Sequence, residues 1–346
     1  MNGQPGETAA GATTQAGETA AAGATTQAGA TTQAGATAAG ATTQAGERQR
    51  LAAHLAVIGD AVIGHAGEGH GDGPAQLRSG QFHDVVLVGD VAYRFPRDDQ
   101  TRREVAARVA VLRVINDSDF PVPVPEPLTT ALSGDQEPGR CYVALSRLRG
   151  QPLPTPLDPR AEPAVLGELS RVLDALGALG ADPAVAAVVP GADPDQWKRF
   201  GRDVRRVLFG LMSGPGRQRA EAELARVAAV NPAGIALVHG DLGGANLLWD
   251  AAPSGPRLTG ILDWDEAHLG SPAEDVASLA ATFGWPLAER LMDMPPRSAW
   301  AGAAGSAGAV LADARAIAAT FALQQALPAA LSQDSAMLAD GLTRYV

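Results

Sequence analysis

The chain has 346 residues, a formal charge of −11 and a single cysteine, Cys141. This acidity argues against general affinity for nucleic-acid phosphates and agrees with a cationic ligand. No apolar run reaches the roughly 18 residues a membrane span needs, and one cysteine forms no internal disulfide, which fits a reducing, cytoplasmic compartment.

The first 46 residues repeat Gly, Ala, Thr and Gln, and Glu7 and Glu18 are their only charges. With no large apolar side chain after Met1, they cannot offset the entropy of ordering, so a disordered tail is expected over 1–46. Helical spacing follows at Leu51, Leu55, Ile58 and Val62, and it breaks in the glycine-rich run "GHAGEGHGDG". "FHDVVLVGDVAYRFPRDD" predicts two strands closed by Gly89-Asp90, with Arg94 on the opposite face from Tyr93 and Phe95. "RREVAARVAVLRVIND" predicts a helix with Val105, Val109 and Leu112 on one face. "FPVPVPEPL" is too proline-dense for helix, and "CYVALSRL" reads as a further strand ending at Gly150.

From Glu162 the pattern turns helical, with a stripe at Val165, Leu169, Val172, Leu176 and Leu179. Further helices are expected over 197–211, 218–230 and from Pro272 onward. Strand-like runs return only around "LVHGDLGGANLLWD" and "LTGILDW". A strand-rich half before a helical half predicts an α+β chain of two lobes, 47–150 and 151–346, with a ligand cleft between them.

The chemistry concentrates in those two strand-like runs. His239, Asp241 and Asn246 form H-x-D-x-x-x-x-N, the spacing of a protein-kinase catalytic loop, with Gly240 where such enzymes carry Arg. Phosphoryl transfer needs a carboxylate against the acceptor hydroxyl and oxygen ligands for a divalent cation on the phosphates. Asp241 and Asn246 are placed to supply them, and Gly243 and Gly244 would let the loop turn at little steric cost. Asp263 follows 22 residues after Asp241, at the end of an apolar run, where kinases place a metal-binding Asp. Bland alternatives are Asx turns at Asp241 and Asn246, a helix cap at Asp263, a surface position for Arg94 and a plain i,i+4 pair between Glu104 and Arg108. Asp265 and Glu266 suit an ammonium-bearing substrate or are solvated loop carboxylates. Asp275 would cap a helix or brace the loop.

"HGDLGGANLLW" followed by "GILDWDEAHLGSPAEDVASL" resembles the aminoglycoside phosphotransferase family, kinase-like enzymes that include macrolide and choline kinases. The resemblance covers nearly all of the chain after the tail. It implies a protein-kinase-like bilobal fold that binds ATP or GTP with Mg2+ and phosphorylates a hydroxyl of a small molecule, an aminoglycoside first, with macrolide or metabolite acceptors, or a nucleotide-binding relative without catalysis, as alternatives. By position it makes Asp241 the catalytic base and Asn246 and Asp263 the metal ligands. It makes His239 a brace, Arg94 the stand-in for the strand lysine on the phosphates, and Glu104 its helix partner. The backbone at Ser146 and Leu148 would hold the adenine. The loop around "RSGQFHD", with Gly80 alone, departs from the glycine-rich phosphate cover.

Overall fold

The computed structural model of the chain describes residues 39–59, 74–80, 82–129, 132–134, 137–234, 236–294 and 306–346. The tail through residue 38, Val62 and the glycine-rich run at 64–73 lie outside these. A helix, α1 (Ala39–Ile58), leads into a five-stranded antiparallel sheet of order β1-β2-β3-β5-β4. The strands are β1 (Gln76–Ser79), β2 (His83–Val88), β3 (Val91–Pro96), β4 (Ser133–Gly134) and β5 (Cys141–Ser146), with helix α2 (Asp99–Asn116) between β3 and β4. The start of α1 corrects one expectation, because helix begins inside the segment expected to be disordered. Once the apolar face at Leu51, Leu55 and Ile58 docks on the sheet, preceding residues extend the helix at one hydrogen bond each.

Register explains the two faces of the sheet. Val88 pairs with Val91 across Gly89-Asp90, with Gly89 at φ +56° as the tight turn requires. Val86, Tyr93, Phe95, Tyr142 and Ala144 then share the face under α1. Val85, Arg94 and Val143 pair on the other face. Helix α2 starts at Asp98, whose carboxylate accepts from the Thr101 amide at 2.7 Å, and buries Val105, Val109, Leu112 and Ile115.

The connection to the helical half is clipped down. Gly150, at φ +127°, passes so close to Thr259 that a Cβ would lie 2.5 Å from its hydroxyl, and Gln151 exchanges two backbone hydrogen bonds with Trp249. Beyond it, α3 (Glu162–Gly180) buries Val165, Leu169, Val172, Leu173 and Leu176 almost completely. The helices α4 (Pro183–Ala186), α5 (Gln196–Val207) and α6 (Gly214–Val227) follow. Two small antiparallel pairs come next: β6 (Ala236–Val238) with β9 (His268–Gly270), and β7 (Leu247–Asp250) with β8 (Arg257–Ile261). The chain continues through α7 (Ala273–Phe283), α8 (Trp285–Asp293), α9 (Ala307–Ala319), α10 (Phe321–Leu331) and α11 (Ser335–Leu342). A strand-rich front and a helical remainder thus form the expected α+β, kinase-like bilobal architecture. No helix among the described residues is long and apolar enough to cross a membrane.

Candidate active site

The loop from β6 to β7 carries Asp241, and its shape is fixed by buried polar contacts. Asp275, in the first turn of α7, accepts from the His239 amide at 2.9 Å and the Gly240 amide at 3.0 Å. Burial pushes its carboxyl up to about 7, and the two amides pull the other way. His239 is fully buried, and its Nε2 donates to the Leu262 carbonyl at 2.8 Å while its Nδ1 accepts from the Asp241 amide at 3.1 Å. Burial lowers its pKa to about 4, so a neutral ring with both nitrogens satisfied braces the loop. The Trp264 ring lies 4.7 Å from that of His239 and 5.6 Å from that of Phe120, under the loop.

Of the Gly243-Gly244 pair, Gly244 acts through close approach rather than free rotation. Gly243 has φ −89°, open to any residue. At Gly244 a Cβ would lie 2.5 Å from the Thr282 methyl, and its amide donates to the Thr282 hydroxyl at 2.9 Å. The expectation of an easily turning Gly-Gly pair is therefore corrected, since close approach of α7 is the constraint.

Asp241 and Asn246 form one unit. The Asn246 side-chain amide donates to the Asp241 carbonyl at 2.9 Å and to its Oδ2 at 3.0 Å, leaving Oδ1 for another partner. Burial and then the charge of Asp263 push the Asp241 carboxyl up to about 8. Asp263 follows β8 with φ +58°, a left-handed conformation uncommon outside glycine. Burial pushes its carboxyl up to about 6, against the pull of Arg94.

Arg94 reaches these carboxylates from β3. Its guanidinium donates to both oxygens of Asp265, at 3.0 and 2.8 Å, and to Asp263 Oδ1 at 3.1 Å. His83 Nδ1 lies 3.1 Å from the same guanidinium, and burial together with Arg94 lowers that imidazole to about 3, so it accepts. Glu104 corrects the expected pairing. It accepts from Arg108 at 2.6 Å and from Gln100 at 3.2 Å, at 42% side-chain exposure, while Arg94 is taken by Asp265. The carboxylate of Asp265 takes both terminal nitrogens of the Arg94 guanidinium, where a solvent-facing or substrate-facing group is expected from the sequence. Its only local signal is the repeat of Asp at 263 and 265.

Arg94, Ser146, Leu148, Asp241, Asn246 and Asp263 line one cavity of about 700 Å³ between the sheet and the helical half, and Glu104 does not. At its back, the Ser146 amide donates to the Glu126 carbonyl at 2.8 Å. The Leu148 amide has no backbone partner among the described residues. Gly260 leaves room for the Leu148 side chain, which a Cβ there would meet at 2.8 Å. Asp265, Glu266 and Glu274 add carboxylates to the helical-half wall, Asp265 paired with Arg94 and Glu274 with His268.

A cleft between a strand-borne guanidinium and a loop carrying paired carboxylates and an amide defines a kinase-like phosphotransferase. The model of the phosphotransferase enzyme family, APH, matches residues 75–315, and the chain belongs to that family. It is a small-molecule kinase. It is 38% identical over 276 residues to the viomycin phosphotransferase of Streptomyces vinaceus, covering 79% of this chain and 93% of that one. Among solved structures it resembles the GDP and kanamycin complex of APH(2")-IIia, with a TM-score of 0.68 at 19% identity over 84% of this chain and 96% of that one. It also resembles the macrolide 2'-phosphotransferase type I, with a TM-score of 0.58 at 22% identity over 91% and 99%. These structures support the fold.

Proposed function

We propose that the chain moves the γ-phosphoryl group of ATP or GTP to a hydroxyl of a cationic antibiotic. The observation that carries this reading is the convergence of Asp241, Asn246, Asp263 and Arg94 on one acid-walled cavity. Viomycin, named for the relative at 38% identity, is the first acceptor to test. An aminoglycoside is the second, favoured by the acidic wall.

In the proposed reaction the substrate oxygen attacks the γ-phosphorus and the bond to the β-phosphate oxygen breaks, releasing the nucleoside diphosphate. The hydroxyl proton passes to Oδ1 of the ionised Asp241 carboxylate, the form that gains population as pH rises through about 8. Asn246 holds Oδ2 so that Oδ1 faces the acceptor. Arg94 carries a fixed positive charge to the phosphates from β3, a fork where the family has lysine. The purine edge would meet the Ser146 carbonyl and the Leu148 amide.

Asn246 and Asp263 fit a Mg2+ ion. With the Asn246 nitrogen committed to Asp241, its oxygen and the Asp263 carboxylate are hard donors of the right type. Among the described residues no group of three His, Cys, Asp or Glu side chains could hold a metal alone, so phosphate oxygens and water would complete the shell. When bound, the ion would neutralise charge on the phosphates.

Labelled ATP and GTP, offered with viomycin, kanamycin and a macrolide, test the reading directly. Asp241→Asn is expected to lower kcat at least about 1,000-fold while nucleotide binding stays within about threefold. Asp263→Ala is expected to weaken nucleotide binding with magnesium but not in EDTA. Turnover retained by Asp241→Asn, or no transfer to any acceptor by the wild type, would overturn the assignment.

A further inference from the structure

The carboxylate partner of the phosphate-binding cation is not on helix α2 but two residues beyond Asp263. Asp265 binds Arg94 through both oxygens, at 3.0 and 2.8 Å, and its Oδ2 also accepts from Arg108 of α2 at 3.0 Å. Its side chain is 10% exposed. One carboxylate therefore ties strand β3, helix α2 and the metal-binding segment at a single point. Glu104 lies out in solvent by comparison, paired to Arg108 one turn along its own helix, where such pairs contribute only tenths of a kcal/mol in general.

We propose that Asp265 is the positioning residue for Arg94 in phosphoryl transfer, taking over the role that the family resemblance assigns to Glu104. The geometry supports this in two ways. A planar carboxylate facing the guanidinium edge fixes the rotation of the fork, which a single-oxygen contact leaves free. Beyond Asp265, Arg94 also donates to Asp263 Oδ1 at 3.1 Å, the one other carboxylate it meets, and its Nη2 lies 3.1 Å from His83 Nδ1. Releasing the bond to Asp263 would free that carboxylate for a cation and turn an Nη–H toward the phosphates, while the two bonds to Asp265 hold the side chain in place. Arg108 acts behind it by fixing Asp265 from the helix side.

This inference rests on the reading of Arg94 as the phosphate cation, so nucleotide affinity is read separately from turnover. Asp265→Asn keeps the size and one acceptor oxygen but removes the charge and the matched fork. It is expected to raise the nucleotide KM and Kd about tenfold or more, with the acceptor KM within about twofold. Glu104→Gln is expected to leave all of these within about twofold. Asp265→Glu, which restores the charge, is expected to recover part of the loss. In an Arg94→Lys background, Asp265→Asn is expected to add less than about threefold, since the two side chains act together. Urea midpoints of each variant separate misfolding from misplacement, and an Asp265→Asn protein that fails to fold leaves the decision to Glu104→Gln and Asp265→Glu. A fall in the nucleotide KM for Asp265→Asn would make Asp265 a competitor for Arg94, and a tenfold rise for Glu104→Gln would return the role to the helix. Either result overturns the proposal. An Arg94→Ala protein that still binds nucleotide as wild type would instead overturn the reading beneath it.

Discussion

Gly240 stands between His239 and Asp241 with φ +83°, and a Cβ built there would lie 2.8 Å from both the Cβ and the carbonyl oxygen of Glu266. Two constraints coincide at this position: a backbone conformation that L side chains rarely adopt, and a backbone neighbour that cannot rotate away. An arginine there, as in protein kinases, would have to displace the Glu266 segment and with it the Asp263-to-Asp265 turn. Gly240→Ala is therefore expected to cost about 1–3 kcal/mol of unfolding free energy and to lower kcat, because the loop carrying Asp241 and the Asp263-to-Asp265 turn beside it shift together. Urea denaturation and steady-state kinetics on the same preparation check this. A wild-type urea midpoint would show that the Glu266 backbone yields freely. His239 and Asp275 belong to the same argument, since both spend their polar atoms on the backbone around Asp241 and Asp263 and face no substrate.

The strand β9 and the start of α7 form the element-scale counterpart of this loop. His268 of β9 donates from Nδ1 to the Glu266 carbonyl at 2.9 Å, and its Nε2 lies 3.4 Å from Glu274 in the first turn of α7. At that separation the contact is an ion pair rather than a well-formed hydrogen bond. Burial disfavours the imidazolium, but the Glu274 carboxylate and the Glu266 carbonyl outweigh it and push the pKa up to about 9. A folded pKa above the ordinary 6.5 means that the stabilisation is complete below about pH 6.5 and is lost as pH rises through about 9. With the side chain 15% exposed, the change is on the order of 2 kcal/mol. Urea midpoints measured from pH 6 to 9.5 should fall accordingly, and His268→Gln should flatten that slope; an unchanged slope in the variant would assign the loss to other groups. The same elements show what a sequence discloses and what it hides. The hairpin at Gly89-Asp90, the stripes of α2 and α3 and the Asp241 and Asp263 motifs carry their period or spacing within a few residues, so they were legible. Strand β1, with the sequence Gln-Leu-Arg-Ser at an exposed edge, has no apolar alternation to read, and β9 is three residues whose pairing is set by β6. The partner of Arg94 was hidden for a different reason. Asp265 lies 171 residues away, and its one local mark, the repeat of Asp at 263 and 265, does not favour it over Glu104, which satisfies the usual helix position but meets Arg108 first.

At the scale of the whole molecule, the cavity lies between halves that share one apolar core, with Val109 and Ile115 of α2 and Val143 of β5 clustered with Leu169 and Leu173 of α3, and that the Arg94, Arg108 and Asp265 contact also ties together. One wall is the face of the sheet that carries Val85, Ala92 and Arg94, and the other is the loop that carries Asp241, Asn246 and Asp263. A nucleotide with magnesium would touch both walls at once, so its binding free energy is shared by both halves rather than assigned to one. At 100-fold excess over its Kd, such a ligand stabilises the folded state by about 2.7 kcal/mol. For a chain of this size that corresponds to a rise in Tm of roughly 4 °C. The rise is expected for the single cooperative transition of the intact protein, to require magnesium, and to shrink in Asp263→Ala to the value that wild type shows in EDTA. Thermal melts with and without nucleotide and EDTA measure it. Two separate transitions, of which nucleotide moves only one, would mean that the halves melt independently and that the joint across the cavity is weaker than its charged contacts imply.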